Sequence, residues 1–144
     1  MSRNDYKKVE TTNAFRSINR RNWDSNELLS LLKKDSINKK VYLSILKLIK
    51  IRKKQKAFHP NATQFTLQLH KNLFGIWRQS IDKSQNIFAI TNISSVTTDL
   101  KLSKINLFEN QLWFDLFEPN VILNDLKVLK LNPFQTVWIS NKIN

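Results

Sequence analysis

The sequence predicts a mainly β fold: an antiparallel, Greek-key-like sandwich preceded by one short and one long α-helix. Three observations predict it. The hydrophobic period switches from helical to strictly alternating at Pro60. Beyond that point, strand-like segments recur at roughly 10-residue spacing. Aromatic residues (Phe74, Trp77, Phe88, Trp113, Phe117 and Trp138) fall inside those segments, where such a stripe reads as core.

Residues 1–14 are polar and show no periodicity, and residues 1–23 as a whole read as extended or disordered. Residues 24–56 form the helical segment. Asp24 followed by Glu27 resembles a capping box ahead of Leu28, Leu29, Leu31 and Leu32. Asp35 or Ser36 then caps a long helix from about Ile37 to Gln55, on which Val41, Ile45, Leu48 and Ile49 recur at helical spacing. Lys50, Arg52, Lys53 and Lys54 lie in its last turns, where the helix dipole favours cations. Pro60 cannot continue the helix and pushes His59 toward an extended conformation. Residues 57–144 are the all-β part, with strands expected at 64–69, 73–79, 86–93, 97–102, 112–117, 126–131 and 135–140. Phe65, Leu67 and Leu69 alternate with Thr66 and Gln68 and are expected to point inward.

Composition excludes several function classes. The chain has 144 residues, a length that suits one domain, and 41% of them are apolar, enough for a core. It has no cysteine, which removes disulfides and thiolate metal sites and leans toward a reducing, cytoplasmic setting. The first residues are polar and charged, unlike a secretory signal, and no apolar run spans a bilayer, so no membrane partner is expected. Gly75 is the single glycine, too few for a phosphate-cradling loop. His59 and His70 are the only histidines; both sit in turn-like contexts, and on ligand count alone no zinc site is expected. No cofactor is expected.

The net charge of +13 lies in one half of the chain. Residues 1–81 carry 18 Lys and Arg against 5 acids, and residues 82–144 carry 6 against 6. Such asymmetry is one mark of a nucleic-acid footprint. Against that reading, lysine outnumbers arginine 18 to 6 and asparagine appears 17 times, a compositional bias of the whole chain. The basic helix also carries only Tyr42 for base stacking. Nucleic acid is therefore not the expected partner. A carbohydrate-binding β-sandwich is a second alternative, and it requires Trp77, Trp113 and Trp138 to be accessible and coplanar.

The segment Leu48-Ile49-Lys50-Ile51-Arg52-Lys53, followed by Ala57-Phe58-His59-Pro60-Asn61, resembles the end of the last barrel helix in the alpha-amylase superfamily of glycoside hydrolases. More narrowly it resembles the sucrose phosphorylase-like branch, where such a run leads into the C-terminal all-β domain. Phe74-Gly75-Ile76-Trp77-Arg78 resembles the second strand of that domain. Gln85 to Phe88 and Thr91-Asn92-Ile93-Ser94 resemble the third, and Leu112 to Leu116 with Leu131 to Trp138 the closing strands. Upstream, Arg16-Ser17-Ile18-Asn19-Arg20-Arg21-Asn22-Trp23 resembles the loop after the eighth barrel strand.

The resemblance implies a C-terminal domain of a glucosyl-transfer enzyme, present here without its catalytic barrel, as a gene remnant or a docking subunit. Retaining transfer needs two carboxylates about 5 Å apart, and in the family these sit on the missing barrel. Asp82, Asp99, Glu109, Asp115, Glu118 and Asp125 instead fall in turns or strand edges of the β part. No catalytic residue is assigned. Arg16 matches a loop arginine that contacts the bound glucosyl unit, although Ser17 replaces the usual acid. The implied partners are a separately encoded barrel or a second copy, met through the long helix, whose apolar stripe is expected to lack a cover.

Overall fold

The computed structural model describes residues 4–19, 22–33, 35–105, 111–124 and 126–143. They belong to two compact units, Met1–Leu48 and Ile49–Asn144.

The first unit is helical. α2 (Ser25–Lys33) starts where expected, because Asp24 Oδ1 accepts from the Asn26 and Glu27 amides at 2.9 and 3.0 Å. α3 (Ile37–Lys54) starts where Ser36 Oγ accepts from the Lys39 amide at 3.2 Å, and its last turns belong to the second unit. The stretch read as extended or disordered is different: Tyr6–Thr12 forms α1, and Phe15–Asn19 a 3-10 helix. The described residues thus hold three α-helices rather than two. α1 is made by its ends. Asp5 Oδ1 accepts from the Lys8 amide at 3.1 Å, and Asn13 closes the helix in a left-handed conformation, its amide donating to Val9 O at 2.8 Å. Val9 is its only aliphatic residue, so no hydrophobic period announces it.

None of the three helices has a buried residue among those described. Val41, Ile45, Leu48 and Ile49 are 51%, 50%, 40% and 43% exposed, so the stripe on α3 is open to solvent as expected.

The second unit is antiparallel throughout. A six-stranded sheet has the order β1 (Thr63–Thr66), β2 (Leu73–Gln79), β3 (Asn86–Asn92), β8 (Thr136–Ser140), β5 (Phe114–Asp115), β6 (Glu118–Ile122). β4 (Thr98–Lys101) pairs with β7 (Val128–Leu131) in a small second sheet. This is the mainly β sandwich that the strand spacing predicts. Among the described residues eight strands occur where seven were expected, because 112–117 is not one strand. Asp115 Oδ1 accepts from the Phe117 amide at 3.0 Å and turns the chain into β6. Pro119 is tolerated there because β6 is an edge strand.

Alternation divides the large sheet into two faces. One face carries Leu73, Phe88, Ile90, Val137 and Ile139, all buried against Leu100 and Leu131 of the small sheet and against Trp113 and Leu123. The other face carries Ile87, Arg78 and Trp138. A smaller cluster covers one end of it, where Ala57, Ile87 and Leu116 pack with Ile51 and Phe58.

β1 departs from its expected burial. Phe65 is 49% exposed, because β1 is an edge strand paired only with β2 and its ring rests on Trp77 at 5.1 Å. Leu67 and Leu69 lie beyond the end of β1 and are partly buried against the core, as expected of them.

Candidate docking site at the helix-to-strand junction

The segment from Gln55 to Asn61 joins α3 to β1, and four side chains of the β-unit hold it. A 3-10 turn at Lys56–Phe58 buries Ala57 completely. The Ala57 amide donates to Gln85 Oε1 at 3.0 Å, and Gln85 Nε2 donates to Gln55 Oε1 at 2.6 Å. Both glutamines are buried, so each polar atom needs the other. Arg78 addresses the same segment from β2. Its Nε donates to Ala57 O at 3.0 Å, one terminal nitrogen donates to His59 O, and the other donates to Gln64 Oε1 at 2.9 Å. Phe58 meets Trp138 edge-on at 4.7 Å.

The fourth contact is ionic. Lys56 Nζ lies 2.8 Å from Asp82 Oδ2 in the β2–β3 hairpin. Lys56, then Ser80, then the amide and hydroxyl of Ser84 donate to Asp82, and together they hold its carboxyl well below the usual carboxylate range. The α3 end is thereby tied to the sheet at a fixed point. Beside it lies a cavity of about 410 Å³, lined by the apolar Ile51, Leu116, Pro119 and Ile143 and by Lys50 and Lys53.

Residues singled out by the sequence do not converge on a reaction centre. Asp82 and Asp115 form turns, Asp99 lies exposed on β4, and Glu118 is exposed. The register does place Asp115 opposite Glu118. Asp115, however, is committed to its turn, and Glu118 is exposed to solvent. Glu109, Asp125, Arg20 and Arg21 lie outside the described residues. His59 and His70 each accept at Nδ1 from the amide two residues on, at 3.1 and 3.2 Å, so both brace turns. Among the described residues no group of His, Asp or Glu is placed to hold a metal ion. Among the described residues no helix is long and apolar enough to cross a membrane. Arg16 lies exposed in the 3-10 helix.

The three tryptophans do not form a platform. Trp113 is fully buried, and Trp77 and Trp138 lie on opposite faces of the sheet. Neither the Gln55–Gln85 pair nor Arg78 as a clamp is legible in the local sequence pattern. Only the register, which sets Arg78 on the face of Ile87, brings them together.

No protein-family model matches the chain. The chain is 28% identical to glucosylglycerate phosphorylase of Escherichia coli over 141 residues, covering 96% of this chain and 23% of that protein. It is 28% identical to glucosylglycerate phosphorylase of Spirochaeta thermophila over 89 residues, 61% of this chain and 15% of that protein. The crystal structure of AmyP in complex with maltose shares the fold, with a TM-score of 0.52 at 15% identity, over 67% of this chain and 19% of AmyP. The likeness to AmyP is one of fold, and the likeness to the two phosphorylases is one of sequence. The chain spans less than a quarter of the length of either curated relative.

Proposed function

We propose that this chain is the C-terminal docking domain of a sucrose phosphorylase-like glucosyl-transfer enzyme and works with a catalytic barrel rather than alone. The observation that carries the proposal is the alignment of 96% of the chain with 23% of a phosphorylase. The exposed apolar stripe on α3 supports it, since such a stripe is costly to leave in water. In this reading the latch at Gln85 and Arg78 fixes where α3 leaves the sheet. Arg16 contacts the glucosyl unit only when a barrel supplies the rest of the pocket.

The test is complementation. The E. coli glucosylglycerate phosphorylase is co-expressed without its matching segment, with and without this chain, and glucose 1-phosphate release is measured. Restored release is expected, with none from this chain alone. Arg16→Ala is expected to raise KM without abolishing assembly. Absence of any complex, or turnover by the isolated chain that Glu118→Gln removes, contradicts the proposal.

A further inference from the structure

We infer that the turn after α3 forms a binding pocket for the phosphate group of a small ligand. The inference does not depend on the docking reading, because it uses neither the apolar stripe nor a partner chain. Arg52, Lys53, Lys54, Lys56 and His59 line one cavity of about 310 Å³, and no described residue in its wall is acidic. A neighbouring cavity of about 320 Å³ shares Lys56 and His59 and adds Asp82, which Lys56 already pairs.

An unbroken helix would not gather these side chains, because successive residues point about 100° apart around its axis. Here α3 stops at Lys54, and Gln55 is extended, with φ −93° and ψ 117°. The 3-10 turn that follows carries Lys56 and His59 round to the wall that Arg52 and Lys53 supply. Cations near a helix C-terminus ordinarily answer its last carbonyls. Gln55 takes two of those instead: its amide donates to Arg52 O and its Nε2 to Ile51 O, both at 3.1 Å. Among the described residues no carboxylate pairs with Arg52 or Lys53.

The remaining donors suit an anion. Lys56 gives one N–H to Asp82 at 2.8 Å and keeps the rest of its ammonium. His59 Nδ1 accepts from the Asn61 amide at 3.1 Å, so the neutral ring carries its proton on Nε2, which is left to donate. Arg78 is spent on Ala57 O, His59 O and Gln64, yet its charge stays under the segment. A phosphate group, with up to two charges and several acceptor oxygens, matches guanidinium, ammonium and imidazole donors together. A carboxylate has one charge and leaves donors unmatched. An extended polyanion calls for cations along a groove rather than round one cavity. The volume reaches the lower end of small-ligand pockets, about 300–1,000 Å³, and Phe58 and Pro60 give an apolar side for an organic body.

Calorimetry and amide NMR on the full chain test this. Inorganic phosphate, glucose 1-phosphate and acetate are titrated at a constant ionic strength of about 0.1 M, where the Debye length is about 10 Å. Saturable shifts centred on Lys53 and His59 are expected for both phosphates, with acetate at least about tenfold weaker. Glucose 1-phosphate is expected to bind the tighter, because the cavity exceeds a phosphate in size; equal affinity assigns the site to the free ion and still supports it. Arg52→Ala with Lys53→Ala should weaken binding at least about tenfold, since two charged hydrogen bonds are lost. Lys39→Ala with Lys40→Ala removes the same charge from the other end of α3 and should leave binding unchanged; circular dichroism checks both folds. Equal loss in the two double variants means diffuse attraction to a basic chain and overturns the inference. So does acetate binding as tightly as phosphate, or the absence of saturation. A DNA duplex whose binding is weakened only by Arg52→Ala with Lys53→Ala assigns the pocket to a polynucleotide and also overturns it.

Discussion

Gly75 and Leu69 fit together only because Gly75 has no side chain: a Cβ there would sit 2.7 Å from Leu69 Cδ1. It would also lie 3.2 Å from Ile90 Cγ1 and 3.3 Å from Leu67 Cδ1. The single glycine of the chain does not serve a left-handed turn, since its φ is not positive. It opens space on β2 so that the 67–69 segment can fold over the sheet, and the Leu67 amide donates to Gly75 O at 2.9 Å.

Gly75→Ala is therefore expected to destabilise the β-unit by about 1–2 kcal/mol, the usual range for overpacking. Leu69 is the flexible member of the contact. In a Leu69→Ala background the cost of Gly75→Ala should fall, because the shortest contact is gone and only the longer ones to Ile90 and Leu67 remain. Urea denaturation of the four proteins measures the coupling; additive effects contradict the packing account.

The buried Asn92 gives a second expectation. Its Nδ2 faces Val96 O, Leu131 O and Asn132 O at 2.7, 3.1 and 3.0 Å, and its Oδ1 accepts from the amide and hydroxyl of Ser94. One side chain thus ties the end of β3 to the small sheet and to the β7–β8 turn. Asn92→Asp turns a carboxylate toward three carbonyl oxygens and is expected to cost at least about 3 kcal/mol. A urea midpoint close to the native one contradicts this.

How far the sequence revealed this arrangement follows from the kind of interaction involved. Strands β2, β3 and β8 were legible because period-two alternation and aromatic content are local. The caps of α2 and α3 were legible at Asp24 and Ser36 for the same reason. α1 escaped because its helix is made by Asp5 and Asn13 rather than by an apolar stripe. β6 escaped because Asp115 turns the chain without glycine or asparagine. The latch was not legible at all, since Gln85 and Gln55 are 30 residues apart and meet only through the sheet register.

Acid should loosen the junction in a definite direction. Asp82 is held below its ordinary value of about 3.9 by Lys56, Ser80 and Ser84. Its contribution is therefore full above about pH 4 and is lost as the pH falls through the lower folded value. Asp82→Asn should lower the urea midpoint at neutral pH by a small amount, because the pair is exposed. The gap between native and variant should close as the pH is taken from about 5 toward 2. A gap that stays constant over that range contradicts the assignment.

Phe134 sits in the turn after β7 with φ 58°, a left-handed backbone that a bulky residue rarely adopts, and the residue is 68% exposed. The Gln135 amide closes the turn on Asn132 O at 3.0 Å. Phe134→Gly relieves backbone strain of about 1–2 kcal/mol, partly offset by the greater freedom of glycine in the unfolded chain. The net expectation is a gain of about 0.5–1 kcal/mol, read from the urea midpoint. A loss of stability instead contradicts the strain assignment.

The most direct measurement of the proposed docking role is amide hydrogen exchange on the chain alone and with E. coli glucosylglycerate phosphorylase that lacks the segment matching this chain. Amides of α3, with Val41, Ile45 and Leu48 at the contact, should exchange quickly in the free chain and at least about tenfold more slowly in the complex. The core strands β3 and β8 should change little. An α3 whose exchange is the same with and without that truncated enzyme contradicts the docking account.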